Sequence, residues 1–83
     1  MKNIKSLAIS EDGFIFDPYT GNSYTVNKTG LFIIKLLKEN KSEDEIVEIL
    51  TNEYDIDKNE AQKDVADFIG YLKTLGLMEN QYV

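Results

Sequence analysis

The segment "DIDKNEAQKDVA", which begins at Asp55, has the ligand spacing with which a calcium-binding loop starts. Asp55, Asp57 and Asn59 would supply the first, third and fifth positions of such a loop. The sixth position needs a glycine for a sharp turn and the twelfth needs a bidentate glutamate, but the chain has Glu60 and Ala66 there. We therefore expect an acidic turn that caps a helix, and no metal site.

A second acidic run, residues 43–45, could suggest a metal site or a carboxylate pair for general acid–base catalysis. Successive helical residues lie about 100° apart around the axis, so these side chains diverge. The chain has no histidine and no cysteine, which removes the commonest general base and all thiolate chemistry. Ser42 therefore has no histidine to activate it, and the five glycines are too scattered for a phosphate loop. We predict that the protein is not an enzyme and has no cofactor.

The charge balance also excludes classes of partner. The net charge is −6, and all nine cations are lysines. An acidic domain without arginine is a poor ligand for nucleic acid or for an anionic membrane surface, because phosphate neutralisation supplies much of that affinity. The N-terminus lacks the apolar core of a signal peptide, and no apolar run approaches 18 residues. We expect a soluble, cytoplasmic protein.

The first third of the chain predicts three strands, at residues 5–10, 14–17 and 23–26, separated by turns at residues 11–13 and 18–21. Such short turns favour an antiparallel meander. Phe14 and Phe16 alternate with Ile15, and we expect the face with the two phenylalanines to lie in the core.

The remainder predicts three helices with clear start signals. Asn27 can cap the first helix, and Ser42 with Glu45 can form a capping box for the second. Asp57 with Glu60 resembles a second capping box, at the start of the third helix. The third helix carries an apolar stripe at Ala61, Val65, Phe68, Leu72 and Leu75. Because it lies in the middle of this stripe, Phe68 is expected to be largely buried.

Three strands followed by three helices predict one α+β domain spanning residues 1–83. Its core should cover about residues 4–78, with Gly76 ending the third helix and residues 79–83 forming a frayed tail. The second and third helices could form a helix-turn-helix, with the meander as a wing. As a DNA-reading helix, however, the third would present mainly carboxylates, from Asp57 through Asp67, and would repel phosphate.

The third strand has an edge without the usual protection. Ser23, Tyr24, Thr25 and Val26 include no charge and no proline, whereas Lys2 and Lys5 lie near the first strand. Natural proteins usually protect exposed strand edges, so an edge left bare can serve a partner. The alternative is that the protein's own tail or a second copy covers this edge.

Three segments, "FDPYTGNSYTVNKTGLFIIKLL", "SEDEIVEILTNEYDID" and "DVADFIGYLKTLGLM", resemble the PqqD-like family in the order and spacing of their features. The resemblance covers about residues 14–78. It implies a winged helix-turn-helix-like fold with a three-stranded antiparallel N-terminal β-meander and three α-helices. It also implies a recognition element of a ribosomally synthesised, post-translationally modified peptide (RiPP) pathway. Such an element holds the leader segment of a precursor peptide and presents it to a modifying enzyme, often a radical S-adenosylmethionine enzyme.

The resemblance further implies where the peptide binds, by strand addition to the third strand and against the third helix. The residues carried over are Ser23, Tyr24, Thr25 and Val26 on one side, and Asp64, Asp67, Phe68 and Tyr71 on the other. The competing interpretation of the same fold is a winged-helix adaptor or transcriptional regulator that binds a protein partner or DNA.

Overall fold

Three short strands precede three helices in the computed structural model, which describes residues 4–78. The elements are a 3₁₀ turn at Ile4–Ser6, β1 at Ala8–Ile9, β2 at Phe14–Phe16, β3 at Ser23–Thr25, α1 at Lys28–Lys38, α2 at Glu43–Tyr54 and α3 at Lys58–Thr74. The α+β class and the order of elements agree with the prediction. The expected frayed tail at residues 79–83 lies outside the described residues.

The strands form an antiparallel sheet in the order β1-β2-β3, as the meander predicted. Ile15 pairs with Ile9 on one side and with Tyr24 on the other, so these three side chains share one face. That face is the buried one, and Ile15 is only 1% exposed. The prediction that Phe14 and Phe16 lie in the core is wrong, because they are 57% and 44% exposed. Alternation shows which residues share a face, but not which face the helices cover.

The first strand is shorter than predicted. Instead of extending from residue 5 to residue 10, the chain forms a 3₁₀ turn in which the Leu7 N–H donates to the Ile4 carbonyl at 3.3 Å. This turn places Ile4 and Leu7, three residues apart, in the same buried cluster. Extended backbone would have pointed them to opposite faces, so burial of both favours the turn.

The helix starts follow the predicted caps. The Ser42 hydroxyl accepts from the Glu45 N–H at 3.1 Å, and the Glu45 carboxylate accepts from the Ser42 N–H at 2.8 Å. This hydrogen bond from the Ser42 backbone is the main reason that the pKa of Glu45 lies below its ordinary value. Asn27 caps α1, and Asp57 caps α3 by accepting from the Asn59 N–H at 3.1 Å. The predicted pairing of Asp57 with Glu60 is wrong in the described residues, because Glu60 makes no hydrogen bond back to the cap.

A left-handed residue follows the C-terminal cap of α3, as predicted for Gly76, whose φ is +76°. The Gly76 N–H donates to the Lys73 carbonyl at 3.0 Å, and the Leu77 N–H donates to the Leu72 carbonyl at 2.9 Å. This pair of bonds is the Schellman arrangement, and it turns the chain so that Leu77 is buried. Asn40, with φ +66°, takes the same position after α1.

Two buried clusters form the core. The first joins the three helices and consists of Ile33, Leu36, Ile46, Val47, Leu50, Ala61, Val65 and Ile69. The second joins the sheet, α1 and α3 and consists of Ile4, Leu7, Ile15, Leu31, Ile34, Leu72 and Leu77. Ile69 holds the buried core position on α3, whereas Phe68, which was predicted to be largely buried, is partly buried beside both clusters. No helix among residues 4–78 is long and apolar enough to cross a membrane.

Candidate functional site

The outer edge of β3 has free backbone groups. The Val26 N–H donates to the Gly13 carbonyl, and the Asp17 N–H donates to the Asn22 carbonyl, both at 2.9 Å. In an antiparallel ladder such bonds recur at every second residue, so the groups of residues 22, 24 and 26 point toward β2. The N–H and C=O groups of Ser23 and Thr25 therefore point away from the sheet. No described strand flanks β3 on that side.

On the opposite side of the sheet, a residue of α1 contacts the turn that leads into β1. Lys38 Nζ donates to the carbonyl oxygens of Lys5, at 3.0 Å, and Leu7, at 2.6 Å. The sequence assigned edge protection to Lys2 and Lys5 instead, and Lys2 lies outside the described residues. A lysine that is distant in sequence thus holds the turn before β1.

A buried aspartate holds the turn that leads into β3. Asp17 is 1% exposed, and its carboxylate accepts from the Tyr19 N–H at 2.9 Å and from the Thr20 hydroxyl at 3.2 Å. The Gly21 N–H donates to the Asp17 carbonyl at 2.8 Å, and Gly21 has a φ of +79°. These bonds fix the direction from which the chain enters β3.

A groove lies directly after β3, between the first turn of α1 and the middle of α3. Its volume is about 350 Å3. The residues that line it are Asn27, Thr29, Gly30, Ile33, Asp64, Asp67 and Phe68. Asn27 also caps α1, since its Oδ1 accepts from the Gly30 N–H at 2.8 Å. The cap thus fixes one wall of the groove.

Gly30 allows α3 to approach α1 closely. A Cβ atom at this position would lie 2.8 Å from Cε1 and 3.0 Å from Cζ of Phe68, and 3.2 Å from Cβ of Val26. These distances are too short for an ordinary carbon–carbon contact. The Phe68 ring therefore lies against the backbone of α1, and forms an apolar surface in the groove next to the end of β3.

The wall contributed by α3 combines an apolar ring with two carboxylates. Asp64 and Phe68 are one helical turn apart, and Asp67 adjoins Phe68. Tyr71 follows Phe68 along the same exposed side of α3. It is 47% exposed, and its ring centroid lies 6.3 Å from that of Phe68. Asp67 has an exposed ion pair with Lys63 at 3.6 Å, a kind of contact that contributes little.

The structure brings part of the predicted site together. Asp64, Asp67 and Phe68 line the groove, with Val26 beside its floor and Tyr71 next along α3. The remaining predicted residues divide by the alternation of β3: Ser23 and Thr25 are exposed on the outer face, whereas Tyr24 is half-buried against the second cluster.

Four groove residues were not predicted as site residues: Asn27, Thr29, Gly30 and Ile33. Asn27 was predicted only as a cap. A glycine in the first turn of an apolar helix has a lower helix propensity than alanine, so Gly30 was the sequence signal of a close approach to this turn.

The acidic turn at residues 55–57 has a structural role. Asp55, with φ +53°, ends α2, and Asp57 begins α3, as expected for a turn that caps a helix. Within residues 4–78, no three histidine, cysteine, aspartate or glutamate side chains are grouped so that they could hold a metal ion. In the same residues, every buried side-chain nitrogen or oxygen has a hydrogen-bond partner.

Comparisons with known proteins agree with the resemblance seen in the sequence. The family model described as "Coenzyme PQQ synthesis protein D (PqqD)" matches residues 12–78. A solved structure described as "TbiB1 in Complex with the TbiA(beta) Leader Peptide" has a TM-score of 0.81 and 29% identity, with 93% of this chain and 90% of that chain covered. Another, "Lasso peptide synthetase B1 complexed with the leader peptide", has a TM-score of 0.74 and 28% identity, with coverages of 86% and 85%. A search of the curated proteins gave no match.

Proposed function

Because the chain belongs to the PqqD family, we propose that it is a non-catalytic module that holds the leader segment of a precursor peptide and presents it to a modifying enzyme. Two solved structures with similar folds are complexes with leader peptides, which supports this function. Since precursor peptides of this kind are ribosomally made, we propose that the module acts in the cytoplasm.

The outward backbone of Ser23 and Thr25 carries the proposal. An extended peptide can pair with this edge as a fourth strand, so that main-chain hydrogen bonds give affinity and side-chain pockets give selectivity. The groove lies where β3 ends, within reach of alternate side chains of such a strand. We propose the full set of eight residues as the peptide site: Ser23, Tyr24, Thr25, Val26, Asp64, Asp67, Phe68 and Tyr71.

For the partner we propose a modifying enzyme and leave its class to experiment. Members of this family act beside a modifying enzyme. A radical S-adenosylmethionine enzyme, which the sequence resemblance implies, is one class to test. One of the similar chains is itself named as lasso peptide synthetase B1, so the remaining components of a synthetase of that kind are another class to test. Co-purification with the enzyme encoded beside the gene would distinguish them.

The competing DNA-binding function is not favoured. The side of α3 that faces away from the core carries Glu60, Asp64 and Asp67, all exposed. Three carboxylates on the helix that would enter the major groove repel the phosphate backbone.

The direct test is a titration with the leader of the precursor peptide encoded nearest the gene, followed by amide NMR. We expect shifts and increased amide protection at residues 23–26 and along α3. Thr25→Pro removes an outward N–H, and we expect it to reduce binding below detection, whereas Thr25→Ala keeps that N–H and should bind. Far-UV circular dichroism of both variants controls for folding.

A second measurement leaves the protein unchanged. Peptides methylated at one backbone nitrogen at a time should lose affinity at alternate positions, because only every second N–H of an added strand faces β3. If the shifted amides cluster instead at residues 5–9 or on α2, the β3 site is wrong, even if the protein binds the peptide.

A further inference from the structure

We propose that the groove beside β3 selects leader peptides by chemistry as well as by backbone pairing. The preferred peptide has an apolar side chain on the Gly30–Phe68 floor and a lysine or arginine at a neighbouring inward-facing position, opposite Asp64 and Asp67. This inference rests on the proposed function, because it names the class of peptide that the same site takes.

The direction of the free backbone groups decides which peptide residues reach the groove. Since Ser23 and Thr25 form the outward hydrogen bonds, peptide residues directly opposite them share their exposed face of the sheet. Peptide residues level with Tyr24 and Val26 lie on the other face, where the groove is. The groove should therefore read every second residue of the leader.

The floor of the groove suits an apolar side chain. Phe68 is held against α1 only because Gly30 has no Cβ, and the ring remains half-buried with its free side in the groove. Ile33 lies next to it, so that the inner end of the groove is hydrocarbon. Covering the exposed part of this ring with a second apolar group removes further hydrocarbon from water and favours binding.

The charges around the groove complement a cation. Two carboxylates line it, from Asp64 and Asp67, while the other polar side chains in the lining are the neutral Asn27 and Thr29. No lysine is among the residues that line the groove. Within residues 4–78, Lys63 contacts Asp67 at 3.6 Å across an exposed surface, so an incoming lysine or arginine can replace it at little cost.

This arrangement also disfavours the wrong peptide. A glutamate or aspartate at the same position would lie beside two carboxylates on a chain whose net charge is −6. Like charges brought together across an interface lower the affinity for the wrong partner, and opposite charges accelerate association at low salt. The groove thus distinguishes basic from acidic leaders more strongly than it distinguishes one apolar residue from another.

The test uses the leader encoded nearest the gene as the probe, together with versions in which each position in turn is leucine, lysine or glutamate. We expect one inward-facing position to prefer leucine and a neighbouring inward-facing position to prefer lysine over glutamate by about tenfold at low salt. The lysine preference should shrink as the ionic strength rises.

Matched variants separate this specificity from binding itself. Asp64→Asn with Asp67→Asn should abolish the preference for lysine, and the lysine pair Asp64→Lys with Asp67→Lys should reverse it. The control, Asp44→Asn with Glu48→Gln, makes the same change of charge on exposed residues of α2 outside the groove and should keep the preference. Gly30→Ala should weaken binding of the leader, because the added carbon pushes Phe68 into the groove.

The outcomes are distinguishable. If the unaltered protein binds the leader at β3 but the asparagine pair keeps the full lysine preference, the inference is wrong while the proposed function stands. If a leader binds without shifting the amides of residues 23–26, the β3 site and the inference are both wrong. If no version of the leader binds at all, the proposed function fails and the inference fails with it.

Discussion

The sheet ends differently on its two sides. At the β1 edge, the extended backbone lasts only two residues, and Lys38 donates to the carbonyls of Lys5 and Leu7. At the β3 edge, no described residue pairs with the outward backbone of Ser23 or Thr25. One long side chain from α1 therefore contacts the segment next to β1, whereas the edge without such a contact is the one that adjoins the α1–α3 groove.

The same contrast continues on α3 between two adjacent residues. Ile69 is 7% exposed and belongs to the cluster that joins the three helices. Phe68 is half-buried and faces the groove. If the buried core stabilises the fold and the groove binds the leader, then substitutions in the core should lower stability, and substitutions in the groove should mainly lower leader affinity.

The largest effect should come from Ile69→Ala, which we expect to lower the free energy of unfolding by about 2–5 kcal/mol. Phe68→Ala should cost less than the range for a fully buried phenylalanine, about 1–2 kcal/mol, because part of its ring is already in water. Only Phe68→Ala should weaken leader binding beyond its effect on stability. Urea denaturation measures the free energy of unfolding, and a peptide titration under conditions where both variants are folded measures leader binding. Equal losses of stability in the two variants would contradict the difference between Ile69 and Phe68.

The inner side of β3 is tested by Gly13→Ala. Gly13 has a φ of +92°, and a Cβ there would lie 2.5 Å from the carbonyl oxygen of Val26. We expect a loss of about 2–3 kcal/mol from backbone strain, and faster amide exchange at Val26, whose N–H donates to the Gly13 carbonyl. Gly21→Ala is the comparison, since it has a similar positive φ but no atom within 4 Å of the added carbon.

The contact beside β1 is tested by Lys38→Met, which keeps the length of the side chain but leaves the two carbonyls without their donor. We expect a loss of about 1–2 kcal/mol and increased amide exchange at residues 4–9. Lys35→Met is the matched control. It breaks the exposed contact from Lys35 to Glu11 at 2.8 Å, which should change stability by less than about 1 kcal/mol. Similar losses in both variants would mean that Lys38 does not hold the turn before β1.

The smallest effect should appear at the start of α2, away from both edges. The pKa of Glu45 is lowered in the folded state, so its contribution to stability is present above the ordinary value of 4.5 and is lost as the pH falls through the lowered value. Glu45→Gln removes this dependence. The difference in stability between the two proteins should therefore decrease as the pH falls below about 4.5. Leader binding at neutral pH should not change by more than about twofold.

The features of the fold that depend on residues nearby in the sequence could be predicted from the sequence. Asn27, Ser42, Asp57 and Gly76 act within three or four residues of themselves, and all four end or begin helices as expected. The order of three strands and three helices followed from such local patterns.

The parts that depend on distant contacts could not be predicted in the same way. Alternation placed Phe14 and Phe16 on one face but could not show that the helices cover the face of Ile15. Likewise, the stripe on α3 fitted Phe68 as well as Ile69, and only the close approach of α1 at Gly30 separates them. The resemblance alone supplied the edge and the helix of the candidate site, which stays a prediction, and the α1 residues that line the groove were not predicted.

The shortness of β3 has a kinetic consequence. Ser23 and Thr25 offer one donor and one acceptor each, so the edge can form at most four backbone hydrogen bonds with a peptide. At about 0.5–1.5 kcal/mol net for each bond, these contribute roughly 2–6 kcal/mol, comparable to or less than the 4–15 kcal/mol lost in association. If a leader binds at this edge as proposed, its residence time should therefore be governed by its side chains in the groove. A peptide whose side chains fit poorly dissociates quickly, and a bound leader can leave after modification without any change in the fold.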